Sequence, residues 1–271
     1  SAAAGRIFAL LDASEETPDP VPGLMPQAST GAVEFRHVSF GYSPEHQLMH
    51  DVNITVKSGQ KVAIVGPTGA GKTTLINLLM RFYDVDGGSI LVDGVDTKEM
   101  TRHELRDRFG MVLQDAWLFE GSIRDNIAYA QDNLPEEKII AAARSASVDS
   151  FIKTLPGGYD FELSTGAENI SQGQRQLLTI ARAMASDPEI MILDEATSNV
   201  DTHTEQLIQK ALAKLMHGRT SFVIAHRLST IRDADMILYM EHGDILEHGS
   251  HEELMAQHGK YEALYMSQFA Q

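Results

Sequence analysis

Short apolar runs that alternate with amphipathic segments constrain the fold of this chain more than any other feature. The runs KVAIVG, EIMILDEA and TSFVIAHR look like buried strands, whereas KTTLINLLMRFY and HTEQLIQKALAKLM have helical spacing. Buried strands separated by helices predict an α/β core on a mostly parallel sheet. Ahead of it, VEFRHVSFGY and DVNITVKSG alternate apolar and polar residues, which predicts an N-terminal antiparallel β-subdomain. Helical patterns between about residues 115 and 186 predict an inserted helical subdomain.

The start of the chain differs in composition from the rest. A possible short helix is followed by a stretch rich in Pro and acidic residues, so residues 1–28 are predicted to be a linker and residues 29–271 the folded domain. The chain has 22 Lys and Arg against 38 Asp and Glu, a net charge of −16. This charge argues against a surface that grips nucleic acid, so no nucleic-acid partner is expected. Cysteine is absent, which excludes disulfides and cysteine metal sites.

A glycine-rich loop follows the first buried strand. Its sequence, GPTGAGKTT, matches the phosphate-binding pattern G-x-x-x-x-G-K-[ST], with an apolar strand before it and an amphipathic helix after it. Glycines let backbone N–H groups converge on an anion, and the helix adds its positive end. We expect Lys72 to reach the β- and γ-phosphates and the Thr73 hydroxyl to bind Mg²⁺. The predicted nucleotide-binding residues of this loop are Gly66, Pro67, Thr68, Gly69, Ala70, Gly71, Lys72, Thr73 and Thr74.

Polar residues at the ends of other apolar runs supply the remaining chemistry of a phosphate-loop ATPase core. Asp194 ends IMILD and is predicted to bind the metal, and Glu195 follows it as a general base for water. A strand that ends in Asp-Glu is common by itself, and we assign this pair a catalytic role because the chain also has a phosphate loop. His226 ends SFVIAH and either is structural or hydrogen-bonds the γ-phosphate. Gln114 ends MVLQ and is predicted to meet the metal or the attacking water, so ATP and Mg²⁺ are the expected cofactors.

With these residues assembled, a further segment indicates a family. NISQGQRQLLTIARA, at 169–183, resembles the signature motif of the nucleotide-binding domain of ABC transporters, usually L-S-G-G-Q. The resemblance implies a second such domain, identical or homologous, packed head to tail with two ATP molecules at the interface. Ile170 conserves packing, whereas Gln172 replaces a Gly and either donates a hydrogen bond to the partner's phosphate or crowds it. The residues implied to contact that phosphate from a helix N-terminus are Ser171, Gln172, Gly173 and Gln174.

Other positions extend the resemblance over about residues 32–271. Tyr42 matches the aromatic that stacks on adenine, although alone it would be an ordinary strand-end tyrosine. Residues 198–201 occupy the D-loop, commonly S-A-L-D, whose role is to link the two nucleotide sites, so Asp201 joins the implied site residues. Asn199 and Val200 depart from that pattern.

Within the family, the segments DEATS and EHGDILEHGSHEEL resemble exporters. The resemblance implies a membrane-spanning domain fused upstream, with this domain at the cytoplasmic face of a membrane and ATP hydrolysis coupled to transport. Trp117, Leu118 and Phe119 fall where the ATPase would touch the membrane domain, unless two of the three belong to the core.

Two other classes of function remain open on the sequence. A DNA-repair or chromosome-organising ABC ATPase shares the loop and the signature, but the charge and the lack of sustained heptads argue against it. A regulatory module without turnover is the third possibility, and the intact Glu195 and His226 argue against that.

Overall fold

The computed structural model describes residues 2–13, 15–43, 45–114, 116–129, 131, 133–194, 200–225 and 227–269. Among the predicted site residues, Glu195 and His226 therefore lie outside the described residues, as do the first two D-loop positions. In chain order the described strands are β1 Val33–Ser43, β2 His46–Val56, β3 Lys61–Val65, β4 Gly87–Val92, β5 Val95–Asp96, β6 Phe109–Val112, β7 Gly121–Ser122, β8 Glu162–Leu163, β9 Ile190–Asp194, β10 Thr220–Ile224, β11 Met236–Glu241 and β12 Asp244–Gly249.

Helices precede β1, separate many of the strands and follow β12. In chain order those described are α1 Ala2–Leu11, α2 Lys72–Leu79, α3 Arg102–Arg106, α4 Ile123–Ile127, α5 Glu136–Ser145, α6 Asp149–Ile152, α7 Gln172–Ser186, α8 Thr202–Met216, α9 Leu228–Arg232, α10 His251–Ala256 and α11 Lys260–Phe269.

The central sheet has the order β12-β11-β3-β10-β9-β6, in which every neighbouring pair is parallel except β11 with β12. Strands β3, β9 and β10 are buried along almost their whole length, which is why they read as continuous apolar runs. In register, Ile64 lies beside Ile224, and Ile224 lies beside Asp194. The carboxyl ends of β3, β10 and β9 therefore meet at one edge, where α/β sheets bind ligands. The predicted parallel core is confirmed.

The predicted antiparallel subdomain is also confirmed. Strands β1, β2, β4 and β5 form an antiparallel sheet of order β2-β1-β4-β5. Its inward residues, such as Phe35 and Phe40, share one apolar core with Leu75 and Leu79 of α2. The helix that follows the phosphate loop is thus held between two sheets, and this fixes where the loop lies.

In the range predicted to be helical, α4 to α7 pack together with the short β7–β8 pair. The longest of them, α7, contributes Leu177, Leu178 and Ala181 to the same apolar core as Ile139 and Ala143 of α5. Because α7 begins at the signature segment, this core determines the position of that segment.

Part of the predicted linker contacts the folded domain. Residues 16–24, which we call the strap, run along the N-terminal end of α3. Asp19 accepts hydrogen bonds from the backbone N–H of Arg102 at 3.0 Å and from its guanidinium at 2.5 Å. The buried Arg81 guanidinium lies 3.6 Å from the same carboxylate. A Cβ on Gly23 would lie 2.6 Å from a side-chain oxygen of α3, so the strap is in close contact there.

Candidate nucleotide-binding site

The glycine-rich loop between β3 and α2 depends on backbone geometry that favours glycine. Gly66, Gly69 and Gly71 have φ values of +148°, +81° and +99°, in the region that L side chains rarely adopt. A Cβ on Gly66 would lie 2.1 Å from the carbonyl oxygen of Met240, so this glycine also permits a close approach. Gly71 stands at the N-cap of α2, which leaves the first N–H groups of that helix available for an anion.

The glycine-rich loop is also held by a hairpin turn from another part of the chain, a contact that was not predicted from the sequence. The turn of the β11–β12 hairpin lies against it, and the N–H of Gly243 donates to the carbonyl of Ala70 at 2.9 Å. A Cβ on Gly243 would lie 1.9 Å from the carbonyl oxygen of Leu48, so the turn is wedged between the loop and β2. Next along, Asp244 accepts from the N–H of His50 at 2.9 Å. The only hint of this in the sequence is a turn-forming His-Gly-Asp.

Lys72 lies folded over its own loop. Its Nζ donates to the carbonyl oxygens of Gly66 at 2.7 Å and Pro67 at 2.9 Å. Burial lowers the pKa of Lys72, and the carboxylate of Asp194 acts in the opposite direction. The structure thus brings the predicted lysine and carboxylate into electrostatic contact across the sheet edge. A phosphate that replaces the two carbonyls would compensate the ammonium more fully.

The predicted metal-binding residues offer the oxygen donors that Mg²⁺ prefers. Thr73 is exposed in the first turn of α2, and Asp194 ends β9 at the same sheet edge. Gln114 is exposed just beyond β6, whose Val112 lies beside Leu193 in register. A hydroxyl, a carboxylate and an amide oxygen on one edge fit a hard cation that also binds phosphates. Their roles as ligands stay predictions.

Tyr42 lies beside the phosphate loop, as a base-stacking residue requires. Its hydroxyl hydrogen-bonds the Oγ1 of Thr74 at 3.0 Å. Its ring meets that of Tyr83 edge-on, with centroids 5.2 Å apart, and that of Phe40 at 5.0 Å. The side chain is 56% exposed, so the ring is accessible to a base. Tyr83 was not predicted, because nothing in its local sequence places it beside Tyr42.

The signature segment forms the N-terminal end of α7, as predicted. Ser171 is the N-cap, its Oγ accepts from the N–H of Gln174 at 3.3 Å, and the side chain of Gln174 accepts from the N–H of Ser171 at 2.8 Å. This reciprocal pair is a capping box. Ser171 and Gln172 are exposed. Gly173, by contrast, is buried against α8. The contact is so close that a Cβ on Gly173 would lie 2.3 Å from the Cγ2 of Thr204.

The contact between Gly173 and Thr204 joins the signature to α8, which begins directly after the predicted D-loop. Asp201 is the N-cap of α8, and its Oδ1 accepts from the N–H of Thr204 at 3.0 Å. Hydrogen bonds, first that from the Thr204 N–H, hold the pKa of Asp201 below its usual range. The structure therefore gives Asp201 a role at a helix end, and its predicted link to nucleotide stays a prediction.

A phosphate loop between a buried strand and a helix, with a carboxylate on the adjoining sheet edge, defines a nucleotide-binding ATPase domain. The family model for ABC transporters matches residues 49–198. The chain belongs to the ABC transporter family. The predicted family, fold class and ATPase function are confirmed.

Similar proteins agree with this. A fatty acid ABC transporter ATP-binding/permease protein of Mycobacterium bovis is 54% identical over 96% of this chain and 41% of its own length. An ATP-dependent lipid A-core flippase of Desulfotalea psychrophila is 48% identical over 98% of this chain and 46% of its own length. The structure of a bacterial Atm1-family ABC exporter with ATP bound matches with a TM-score of 0.87 and 40% identity, covering 99% of this chain and 47% of that one. The chain thus spans less than half the length of these relatives. Its similarity to exporters, predicted from the sequence, is confirmed.

Proposed function

We propose that this chain is the ATP-hydrolysing part of an exporter, and that two such domains close head to tail around two ATP molecules. The observation that carries the proposal is the presence, in one chain, of a complete phosphate loop and of an exposed, capped signature helix. The N-terminus of α7, where Ser171 and Gln172 are exposed, presents the positive end of a 15-residue helix. This end suits the γ-phosphate held by a partner's loop.

In the proposed reaction the loop N–H groups and Lys72 bind the phosphates. Lys72 exchanges its two carbonyl partners for phosphate oxygens, which brings its charge to the β–γ bridge. Glu195 takes a proton from water, whose oxygen attacks the γ-phosphorus, and the bond to the β–γ bridging oxygen breaks to leave ADP and phosphate. Thr73 and Asp194 would hold Mg²⁺, which, when bound, neutralises charge on the phosphates.

The cycle of pairing then follows from the two half-sites. ATP on the loop of one chain is contacted by Ser171 of the other, so nucleotide binding favours the closed pair. Once the γ-phosphate leaves, the contact that joined the two chains is gone, and the pair opens. Gln172 is exposed at this place, where it is able to donate a hydrogen bond to the partner's phosphate.

Transport requires a membrane partner. Within the part of the chain that the structure describes, no helix has the length and apolarity needed to cross a membrane. Relatives named as ATP-binding/permease proteins combine both functions in one longer chain. From the names of these relatives we propose that this domain acts at the cytoplasmic face of a membrane, together with a membrane-spanning domain that selects the substrate.

Two variants test the proposal in steady-state ATPase assays at several protein concentrations. Lys72→Ala is expected to lose ATP binding and turnover. Glu195→Gln is expected to keep ATP binding, lose most turnover and accumulate as a dimer with ATP. Lys57→Ala, which changes an exposed lysine outside the loop, serves as the matched control and is expected to behave like the unmodified chain. Undiminished hydrolysis by Glu195→Gln would show that another group is the base.

A further inference from the structure

Arg182, near the C-terminal end of α7, makes contacts that the proposed reaction does not use. Its Nε donates to the carbonyl of Asn126 at 2.8 Å, and its Nη2 donates to the Oδ1 of the same residue at 3.0 Å. Its Nη1 donates to the carbonyl of Trp117 at 3.1 Å. The guanidinium thus ties α7 to two separate segments of the helical region.

The same guanidinium lies over two aromatic rings. It is 4.9 Å from the ring centroid of Tyr129 and 5.8 Å from that of Phe119. Phe119 in turn lies 6.1 Å from Trp117 and 5.3 Å from Tyr129, centroid to centroid. We call Trp117, Phe119 and Tyr129 the aromatic row. Trp117 is 63% exposed and Tyr129 50% exposed, so the row offers an apolar surface to a partner.

Of the three residues predicted to contact a membrane domain, only Leu118 is fully buried. Phe119 is half-buried, and Asn126 holds its backbone through both polar groups. The N–H of Phe119 donates to the Oδ1 of Asn126 at 3.1 Å, and the Nδ2 of Asn126 donates to the carbonyl of Phe119 at 3.0 Å. Arg182 and Asn126 together therefore set the position of the aromatic row.

Burial lowers the pKa of Arg182, which means that the fold holds this cation partly away from water at a cost. The three hydrogen bonds described above go to carbonyl and amide oxygens, so the site uses the several fixed donors of a guanidinium, which Lys cannot reproduce.

The position of Arg182 in α7 gives it a consequence for motion. Ser171 and Arg182 are 11 residues apart (182 minus 171), which is about 16 Å along an α-helix. A helix of this length moves as a rod, so displacement at its signature end is transmitted to Arg182.

We propose that Arg182 is a positioning residue that makes the aromatic row follow α7, so that closure of the signature on ATP moves a surface predicted to face the membrane partner. The inference rests on the proposed head-to-tail dimer. It assigns the transmission to one side chain, which contacts helix α4 through Asn126 and the preceding loop through Trp117.

The composition of the chain makes the movement measurable. Trp117 is its single tryptophan and cysteine is absent, so one introduced cysteine gives a unique acceptor site. Lys57→Cys, at an exposed position outside the helical region, carries the acceptor, and energy transfer from Trp117 reports the distance between row and core. The experiment uses this chain with Glu195→Gln, with and without Mg-ATP, and dimer formation is measured in parallel by sedimentation.

Mg-ATP is expected to shift the transfer efficiency in the reference chain. Arg182→Met is expected to form the dimer and to lose at least half of that shift, and Arg182→Lys is expected to be intermediate. Arg106→Met is the matched control, because Arg106 also donates to backbone carbonyls and lies 4.8 Å from an aromatic centroid, that of Phe82. It is expected to keep the whole shift.

The outcomes separate the two proposals. A full shift in a dimeric Arg182→Met chain, or no shift in a dimeric reference chain, would overturn the role of Arg182 alone. A reference chain that binds ATP without forming a dimer would overturn the proposed function and this inference with it. If Arg182→Met does not fold, Arg182→Lys decides: a full shift in that variant counts against the role.

Discussion

Replacement of Gly173 by alanine tests how the signature helix is seated. The added Cβ would lie 2.3 Å from the Cγ2 of Thr204 and 3.1 Å from the Cγ1 of Val200, whereas ordinary contacts begin at 3.4 Å. Relief of the first clash alone needs a displacement of about 1.1 Å (3.4 minus 2.3) between α7 and α8. Both helices are held by their caps and by a shared core, so neither moves freely.

The expected magnitude is a balance of two effects. Overpacking of a filled site costs about 1–3 kcal/mol. Glycine-to-alanine replacement in a helix contributes up to about 1 kcal/mol in the other direction. Because an approach of 2.3 Å is a severe overlap, the upper end of the first range applies, and Gly173→Ala should lower the free energy of unfolding by about 2 kcal/mol, which is about 3 minus about 1.

A second substitution identifies the source of the loss. Thr204→Ser removes the Cγ2 methyl and keeps the backbone N–H that Asp201 accepts from. Urea unfolding of both single variants and the double variant, followed by circular dichroism, should give a favourable coupling of about 1 kcal/mol. If Gly173→Ala is as stable as the unmodified chain, or if Thr204→Ser does not rescue it, the close contact is not what requires glycine.

Three further perturbations probe other parts of the molecule. Tyr42→Phe removes the hydrogen bond to Thr74 and keeps the ring, so the free energy of ATP binding, measured by calorimetry, should weaken by about 0.5–1.5 kcal/mol. Tyr42→Ala also removes the ring and should weaken ATP binding further. Equal losses in the two variants would mean that the ring does not bind the base. Asp93→Asn removes a carboxylate that lies 2.7 Å from the buried Arg108, which keeps Glu189 at 3.0 Å, and should cost about 1–3 kcal/mol at pH 7. Burial raises the pKa of Asp93, but hydrogen bonds from the side chain of Thr30 and nearby backbone N–H groups outweigh it and hold that pKa below its usual range. The stability from this carboxylate is thus present above its unfolded pKa of about 4 and is lost as the pH falls through its pKa in the folded state. The free energies of unfolding of the unmodified chain and of Asp93→Asn should therefore become equal in acid. A constant difference between them down to low pH would contradict this. Arg102→Met should release the strap, seen as faster proteolysis within residues 16–24 at an unchanged ATPase rate; unchanged cleavage would mean that the ion pairs do not hold it.

The sequence was sufficient for features that depend on local chemistry. The buried runs predicted the parallel strands, because only strands covered on both faces are apolar at every position. The phosphate loop followed from its glycines and their setting. The start of the signature helix at Ser171 followed from the resemblance of residues 169–183 to the family motif, and the structure shows a capping box there.

The sequence was insufficient where residues distant in the chain meet. The His-Gly-Asp at Gly243 indicates a turn but not that the Gly243 N–H binds the carbonyl of Ala70, because that contact arises only when β11 pairs with β3. The partners of Arg182 likewise depend on how α7 packs against α4. The catalytic roles of Glu195 and His226 stay predictions from the motif alone.

The strap changes how a pull on the start of the chain would be borne. A force applied at α1 reaches the contacts of Asp19 with Arg102 before it reaches β1, which begins at Val33. Asp19 contacts both Arg102 of α3 and the buried Arg81, so these two residues together resist the force. The antiparallel sheet beyond them is shielded from that tension. Work done at the start of the chain is thus delivered to the end of α2, the helix that begins at Lys72 of the phosphate loop.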